Sequence, residues 1–231
     1  DTGIIPGIRL QQGQKESLRD IVASFTDDDA HAIKDIEAGI NHDVKAIEYF
    51  IKAKLDALGL ESIKEWVHFG LTSQDVNNSA FPLMIREAYQ SHLLPTLRET
   101  RDAILHFAKE ASHLPMLAHT HGQPASPTIL GKEIMVFVER LDAQIVQLET
   151  VELKVKFGGA TGNFNAHVVA FPKVDWVGWA DHFTSQYLGI QRYRYTTQIE
   201  HYDQLAALCH ATMRINTILL DFCRDVWTYI S

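Results

Sequence analysis

Apolar residues recur three or four positions apart along most of the chain, the rhythm that turns one face of an α-helix toward a core. Between Asn41 and Gly59 they fall at Val44, Ile47, Phe50, Ile51, Leu55 and Leu58, with Asn41 as the expected cap and Gly59 as the stop. Ahead of that stretch, residues 1–13 read as irregular, and a first helix is expected over 14–25. A second begins at Thr26, where Asp27, Asp28 and Asp29 suit the positive end of a helix dipole, and Gly39 is the expected end. Thr72 or Ser73 opens a long helical pattern that runs to about residue 111, with kinks expected at Pro82 and Pro95.

The strongest pattern covers 127–154. Leu130, Ile134, Val138, Leu141, Ile145 and Leu148 form one seam, and Met135, Phe137 and Val146 give a second apolar side, as in a helix surrounded by others. A shorter helix is expected over 172–188, stopped by Gly189, then a partly extended connector. The last helix, 199–230, carries Leu205, Leu208, Thr212, Ile215, Leu219, Phe222 and Val226 in a coiled-coil-like seam. There is no βαβ alternation and no tandem repeat. The fold class these patterns imply is all-α, a bundle of long helices whose several apolar sides are expected to be buried against other subunits.

One stretch breaks the rhythm. Residues 117–133 read LAHTHGQPASPTILGKE. If this segment is extended, His119 and His121 lie on one side of it. Gly122 loosens the backbone and Gln123 offers an amide. Ser126 is the expected cap, with Pro127 at the first helical position. A polar hinge between rigid helices is a common way to present a catalytic group.

Composition narrows the function classes. Of 231 residues, 46% are hydrophobic and 22% charged, as in an ordinary globular protein. The net charge of −8 argues against a general basic field for nucleic acid or an anionic membrane, although a small anionic substrate needs only local positive potential. The opening DTGIIPGIRL lacks the regions of a signal peptide, so a cytoplasmic protein is expected. Cys209 and Cys223 lie about 21 Å apart along one helix, too far for a disulfide, and are expected to be small buried residues.

Three polar motifs stand at helix starts: Asn41-His42-Asp43, Thr72-Ser73-Gln74-Asp75, and His121 to Ser126. Each can be an ordinary cap or, with free amides and the dipole, a phosphate or carboxylate site. The HxH pair lacks an obvious third metal ligand nearby, so no metal is expected. GGATGN at 158–163 lacks the spacing and the preceding strand of a dinucleotide-binding turn.

The run THGQPASP with GKE after it, HFGLTSQDVNNSA at 68–80 and FGGATGNFNAH at 157–167 resemble the adenylosuccinate lyase family of the fumarase and aspartase superfamily. INHDVKA and TTQIE agree. The likeness covers nearly the whole chain, and NHDVKA together with HFGLTSQD points to the purine branch.

The resemblance implies a homotetramer with active sites built from three subunits, no cofactor, and a nucleotide substrate. It implies β-elimination of fumarate from adenylosuccinate, and likewise from the succinyl-carboxamide ribotide of purine synthesis. By position it makes His121 the general acid. Asn41, His42, Asp43, Thr72 and Ser73 become substrate-binding residues, Gln198 a further contact, and His68 a neighbour of the phosphate; His119 has no catalytic role. Residues 1–70 would end an N-terminal helical domain and 71–231 begin a truncated central bundle. The family's mobile loop, G-S-S-x-M-P-x-K-x-N with its base serine, does not occur here, nor do an early and several later arginine segments. The parent is therefore expected to be the enzyme and this chain alone inert. Two alternatives stand beside this reading: another superfamily lyase, acting on argininosuccinate or a simple dicarboxylate, and a non-catalytic helical oligomerisation module.

Overall fold

A computed structural model describes residues 8–230; of the irregular stretch expected over 1–13, positions 1–7 lie outside the described residues. The chain divides into two compact units, one taking the chain through Pro82 together with Lys154–His201, the other Leu83–Leu153 with the chain from Tyr202 onward.

The first unit opens with α1 (Gln12–Ala23), α2 (Asp27–Ile40) and α3 (Asp43–Ala57). Thr26 caps α2 as expected, in a reciprocal box with Asp29. The helix does not end at Gly39. It runs to Ile40, and Asn41 closes it in the left-handed conformation at φ 55°, which an Asn side chain tolerates better than most. Asn41 is therefore not the cap of α3. That role falls to His42, whose ring accepts from the Lys45 amide. Val44, Phe50 and Leu55 are buried as the pattern predicts, whereas Ile47 and Leu58 are exposed.

After a 3₁₀ segment, Glu61–Trp66, the helix α4 (Ser73–Ala88) begins where expected. Pro82 lies inside it without ending it. A proline at 82 has no N–H for the carbonyl of Asn78 one turn earlier, and that carbonyl instead receives the backbone N–H of Lys156 at 3.4 Å. Later segments of this unit are α7 (Asn165–Ala170) and α8 (Trp176–His182), followed by a π turn, Phe183–Tyr187. The helix expected over 172–188 is present as α8 continued by the π turn, over 176–187, and α7 is an additional short helix before it. Their aromatic side chains build a compact core in which Phe157, Phe164, Trp176 and Ala180 are buried and Phe69, Phe171, Trp179 and Phe183 pack around them. The connector is extended where Val155 exchanges backbone bonds with Gln191 and Tyr193.

The second unit contains a π turn, Tyr89–Leu93, that runs without a break into α5 (Leu94–Glu110), so Pro95, which has no N–H to give the preceding turn, lies just past an irregularity in a continuous helical run, where an interruption was expected. Strands β1 (Pro115–Thr120) and β2 (Gln123–Ile129) form an antiparallel hairpin that the helical reading did not anticipate. Pro124 and Pro127 lie in β2, and Pro127 is not a first helical residue. A two-stranded hairpin leaves each strand one open edge, the place where a strand tolerates proline. Helix α6 (Leu130–Glu149) follows, and α9 (Asp203–Ile230) completes the unit. Leu97, Ile104 and Ala108 of α5 pack with Ile134, Val138, Leu141, Ile145 and Leu148 of α6 and with Leu208, Ala211, Ile215 and Ile218 of α9. Of the second apolar side of α6, Phe137 is buried, while Met135 and Val146 are exposed. Cys209 and Cys223 are exposed, contrary to expectation, because they fall off the buried stripe of α9. Among the described residues no helix is long and apolar enough to cross a membrane.

Candidate functional site

Most of the sequence-predicted site residues belong to the first unit, and contacts join several of them. His42 and Ser73 stand at the starts of α3 and α4, and His42 Nε2 lies 3.2 Å from Ser73 Oγ. Because Nδ1 of the same ring accepts the Lys45 amide at 3.2 Å, the neutral imidazole carries its proton on Nε2 and donates it to the serine oxygen. Asp43 accepts from Asn77 Nδ2 at 3.1 Å. The Val44 amide, then the Asn77 side chain, hold its carboxyl below the ordinary value. Gln198 reaches Thr72 Oγ1 through its amide at 3.5 Å. Two helix starts thus stand side by side, flanked by hydroxyls, an imidazole and an amide. That arrangement suits an anionic ligand. Asn41, next to His42, is exposed at the left-handed end of α2.

His68 occupies the left-handed region at φ 64°. Its Nδ1 lies 3.6 Å from Glu48 Oε2, and its Nε2 is shielded from solvent without a hydrogen-bond partner. Glu48 is 6% exposed. Burial works to raise its carboxyl, but the ammonium groups of Lys45, at 2.9 Å, and Lys52, at 3.1 Å, outweigh burial and leave it below the ordinary value. A buried anion thus faces one edge of the His68 ring. The sequence reading missed Glu48; its signal was a charge on the buried face of α3, flanked by lysines three back and four on.

A second group the sequence reading left unconnected lies beneath the start of α4. Asp75 is 1% exposed and Lys156 is fully buried. They meet at 2.7 Å. Burial pulls the Lys156 ammonium below its ordinary value, with Asp75 opposing. His167, 2% exposed, sits among the rings of Phe69, Phe164 and Trp176 with Nδ1 unpartnered, and burial lowers its proton affinity. A Cβ on Gly70, itself at φ +66°, would stand 2.7 Å from the His167 ring, so only glycine fits there.

His121 belongs to the second unit. It does not lie in the strand with His119; the two-residue turn His121-Gly122 joins β1 to β2, and both residues have positive φ, 50° and 71°. That pair of angles is what a tight I′ hairpin turn requires. The ring is exposed at the hairpin tip. The base of the hairpin is tied down by the Leu130 N–H donating to Leu114 at 2.9 Å and by Thr128 Oγ1 donating to Glu133 at 2.8 Å. Among the described residues no three His, Cys, Asp or Glu side chains gather in a way that could hold a metal ion.

The profile of a family described as lyase matches residues 8–231. Across 96% of the chain there is 51% identity to the adenylosuccinate lyase of Dictyostelium discoideum, of which the match covers 48%. Identity is 47% to that of Vibrio cholerae and covers 91% of the chain and 46% of the relative. The chain spans about half the length of these curated relatives. Among solved structures, a fumarate lyase from Mesorhizobium sp. BNC1 superposes with TM-score 0.78 at 19% identity, over 99% of this chain and 50% of that one. The 3-carboxy-cis,cis-muconate lactonizing enzyme from Pseudomonas putida gives 0.70 at 20% identity, over 84% and 43%. At such identities the likeness speaks for the fold.

Proposed function

This chain belongs to the lyase family, and from that premise we propose that the full-length protein containing it removes fumarate from adenylosuccinate to leave AMP, and acts in the same way on the succinyl-carboxamide ribotide. In this β-elimination a base takes the proton beside a carboxylate, the C–N bond breaks with its electrons going to nitrogen, and an acid protonates that nitrogen. His121 is the acid. The base is the serine of the family's mobile loop, which is not among these residues. His42, Asp43, Thr72, Ser73 and Gln198, with Asn41 and His68, bind the phosphate and carboxylates of the substrate.

The observation that supports this reading best is the 3.2 Å contact between His42 and Ser73, which sets two helix starts together. A ligand bearing a phosphate and two carboxylates needs such a concentration of donors. The enzyme works as a cytoplasmic homotetramer in which residues of three subunits complete each site. In it, 1–70 end one helical domain and 71–231 begin the central bundle.

The test is to assay the full-length protein with adenylosuccinate by absorbance, with argininosuccinate alongside. Turnover of the purine substrate is expected. Turnover of argininosuccinate alone would reject the substrate, and no turnover of either would reject the reading. His121→Asn is the informative variant, because asparagine tolerates the left-handed turn. It should lower kcat by about 10²–10⁴-fold, the usual worth of a general acid. An unchanged kcat would favour a purely structural module.

A further inference from the structure

Resting on the reading of Thr72 and Ser73 as substrate-binding residues, we propose that Asp75 is a positioning residue for them. Its carboxylate, neutralised by Lys156, pins the glycine loop 158–162 to the start of α4 and so sets where the Thr72 and Ser73 hydroxyls stand.

Four donors converge on this one carboxylate, through five contacts. Oδ2 accepts the Thr72 amide at 2.8 Å, and Oδ1 accepts the Gly158 amide and the Lys156 ammonium, each at 2.7 Å. The Gly159 amide lies 3.1 Å from both oxygens. Lys156 also donates to the Gly159 carbonyl at 2.6 Å, so lysine and loop are held as one piece. An aspartate serving only as a helix cap needs none of this. Asp29 at the start of α2 makes its reciprocal bonds with Thr26 at the surface and has Lys54 as an ion partner across α3.

Burying a lysine and an aspartate together is expensive, and such pairs contribute little net stability compared with apolar replacements. Their worth here is geometric. The carboxylate cannot shift without moving the Thr72 backbone, and the loop cannot shift without moving the carboxylate. The loop's other side is equally constrained: a Cβ on Gly162 would lie 2.4 Å from the Thr196 carbonyl oxygen. Thr196 is two residues from Gln198, whose amide reaches Thr72. Asp75 therefore links three parts of the proposed binding surface, namely Thr72, the loop, and the segment carrying Gln198, while remaining too deep to touch a ligand itself.

The experiment is steady-state kinetics of the full-length protein, normalised to folded enzyme. Asp75→Asn alone strands a buried ammonium and is expected to fold poorly. The informative variants are the charge-neutral double Asp75→Asn/Lys156→Met, and Asp75→Glu, which keeps the charge and moves the carboxylate out by one methylene. The double variant should raise KM for adenylosuccinate at least about tenfold with kcat within threefold, and Asp75→Glu should raise it about threefold or more. A purely structural residue would lower the yield of active enzyme and leave KM alone. Wild-type KM in Asp75→Glu, or in a folded double variant, overturns the inference. A full-length protein inactive on adenylosuccinate overturns the substrate reading and this inference with it, whereas an active one with unchanged KM in the variants overturns the inference alone.

Discussion

Along α6 the residues facing the interior of their unit are Ile134, Val138, Leu141, Ile145 and Leu148, whereas in the first turns of α4 they are Asp75, Asn78 and Ser79. Both stripes use steps of three and four. In α6 they are filled by a neighbouring helix with the same spacing, so any side chain of the right size and polarity serves. In α4 each buried group has an addressed partner: Lys156 and two glycine amides for Asp75, the Glu200 amide for Asn78 at 3.0 Å, and the α4 backbone for Ser79 at 2.7 Å. The apolar stripe supplies cohesion, and the polar one supplies location. Location is what a ligand site needs, and the polar stripe lies directly under the residues proposed to bind substrate.

The contrast can be broken by substitution. Lys156→Met leaves Asp75 buried and unpaired, and should cost about 3–5 kcal/mol in urea unfolding of the full-length protein. A loss under about 1 kcal/mol would mean that the pair is not fixing anything. Leu141→Ala opens a cavity in the apolar seam and should cost about 2–5 kcal/mol. Unlike the Asp75 variants, it should leave KM unchanged, and a raised KM would erase the distinction between the two stripes. Gly131→Ala probes a tight spot in the apolar unit, where a Cβ would come 2.3 Å from the Ala108 carbonyl oxygen of α5. Forcing α5 and α6 apart should cost about 1–3 kcal/mol, read as a lower melting temperature.

The smallest effect is a pH dependence confined to the first unit. Burial holds the folded-state proton affinity of His167 below the ordinary value of 6.5. The unfolded chain therefore binds the extra proton first as pH falls. Stability contributed by the neutral ring is present above 6.5 and declines below it, by at most about 1.4 kcal/mol per pH unit, until the folded state protonates too. His167→Gln should flatten the stability profile between neutral pH and the acid range; an unaltered slope would remove His167 as its source.

What the sequence disclosed follows the same division. The seams of α6 and α9 were legible because repeated apolar spacing is a local signal that a partner of like spacing must answer. The hairpin was not, since Ser126-Pro127 read equally well as a helix start, and a His-Gly pair is a muted form of the Asn-Gly that marks a I′ turn. The stripe in α4 has helical spacing, yet Asp, Asn and Ser at a helix start are ordinarily assigned outward. Nothing near Asp75 announces Lys156, 81 positions on. Asn41, His42, Thr72 and Ser73 read as caps on residue chemistry alone and drew attention as a site through family likeness. The cap of α3 turned out to be an imidazole, a residue type that capping preferences rank low.

Pro82 gives the buried polar stripe its far end. Asp75, Asn78, Ser79 and Pro82 keep the steps of one helical face, and the carbonyl that the proline leaves unclaimed is taken by the residue whose side chain holds Asp75. This start of α4 acts as a ruler on which Lys156 reads two marks, Asp75 with its side chain and the Asn78 carbonyl, three residues on, with its amide. Adding or deleting one residue between the marks would swing the far one by about 100° around the axis. Of the outward-facing positions in this stretch Asn77 is committed to Asp43, and the length of the stretch is not free to vary at all.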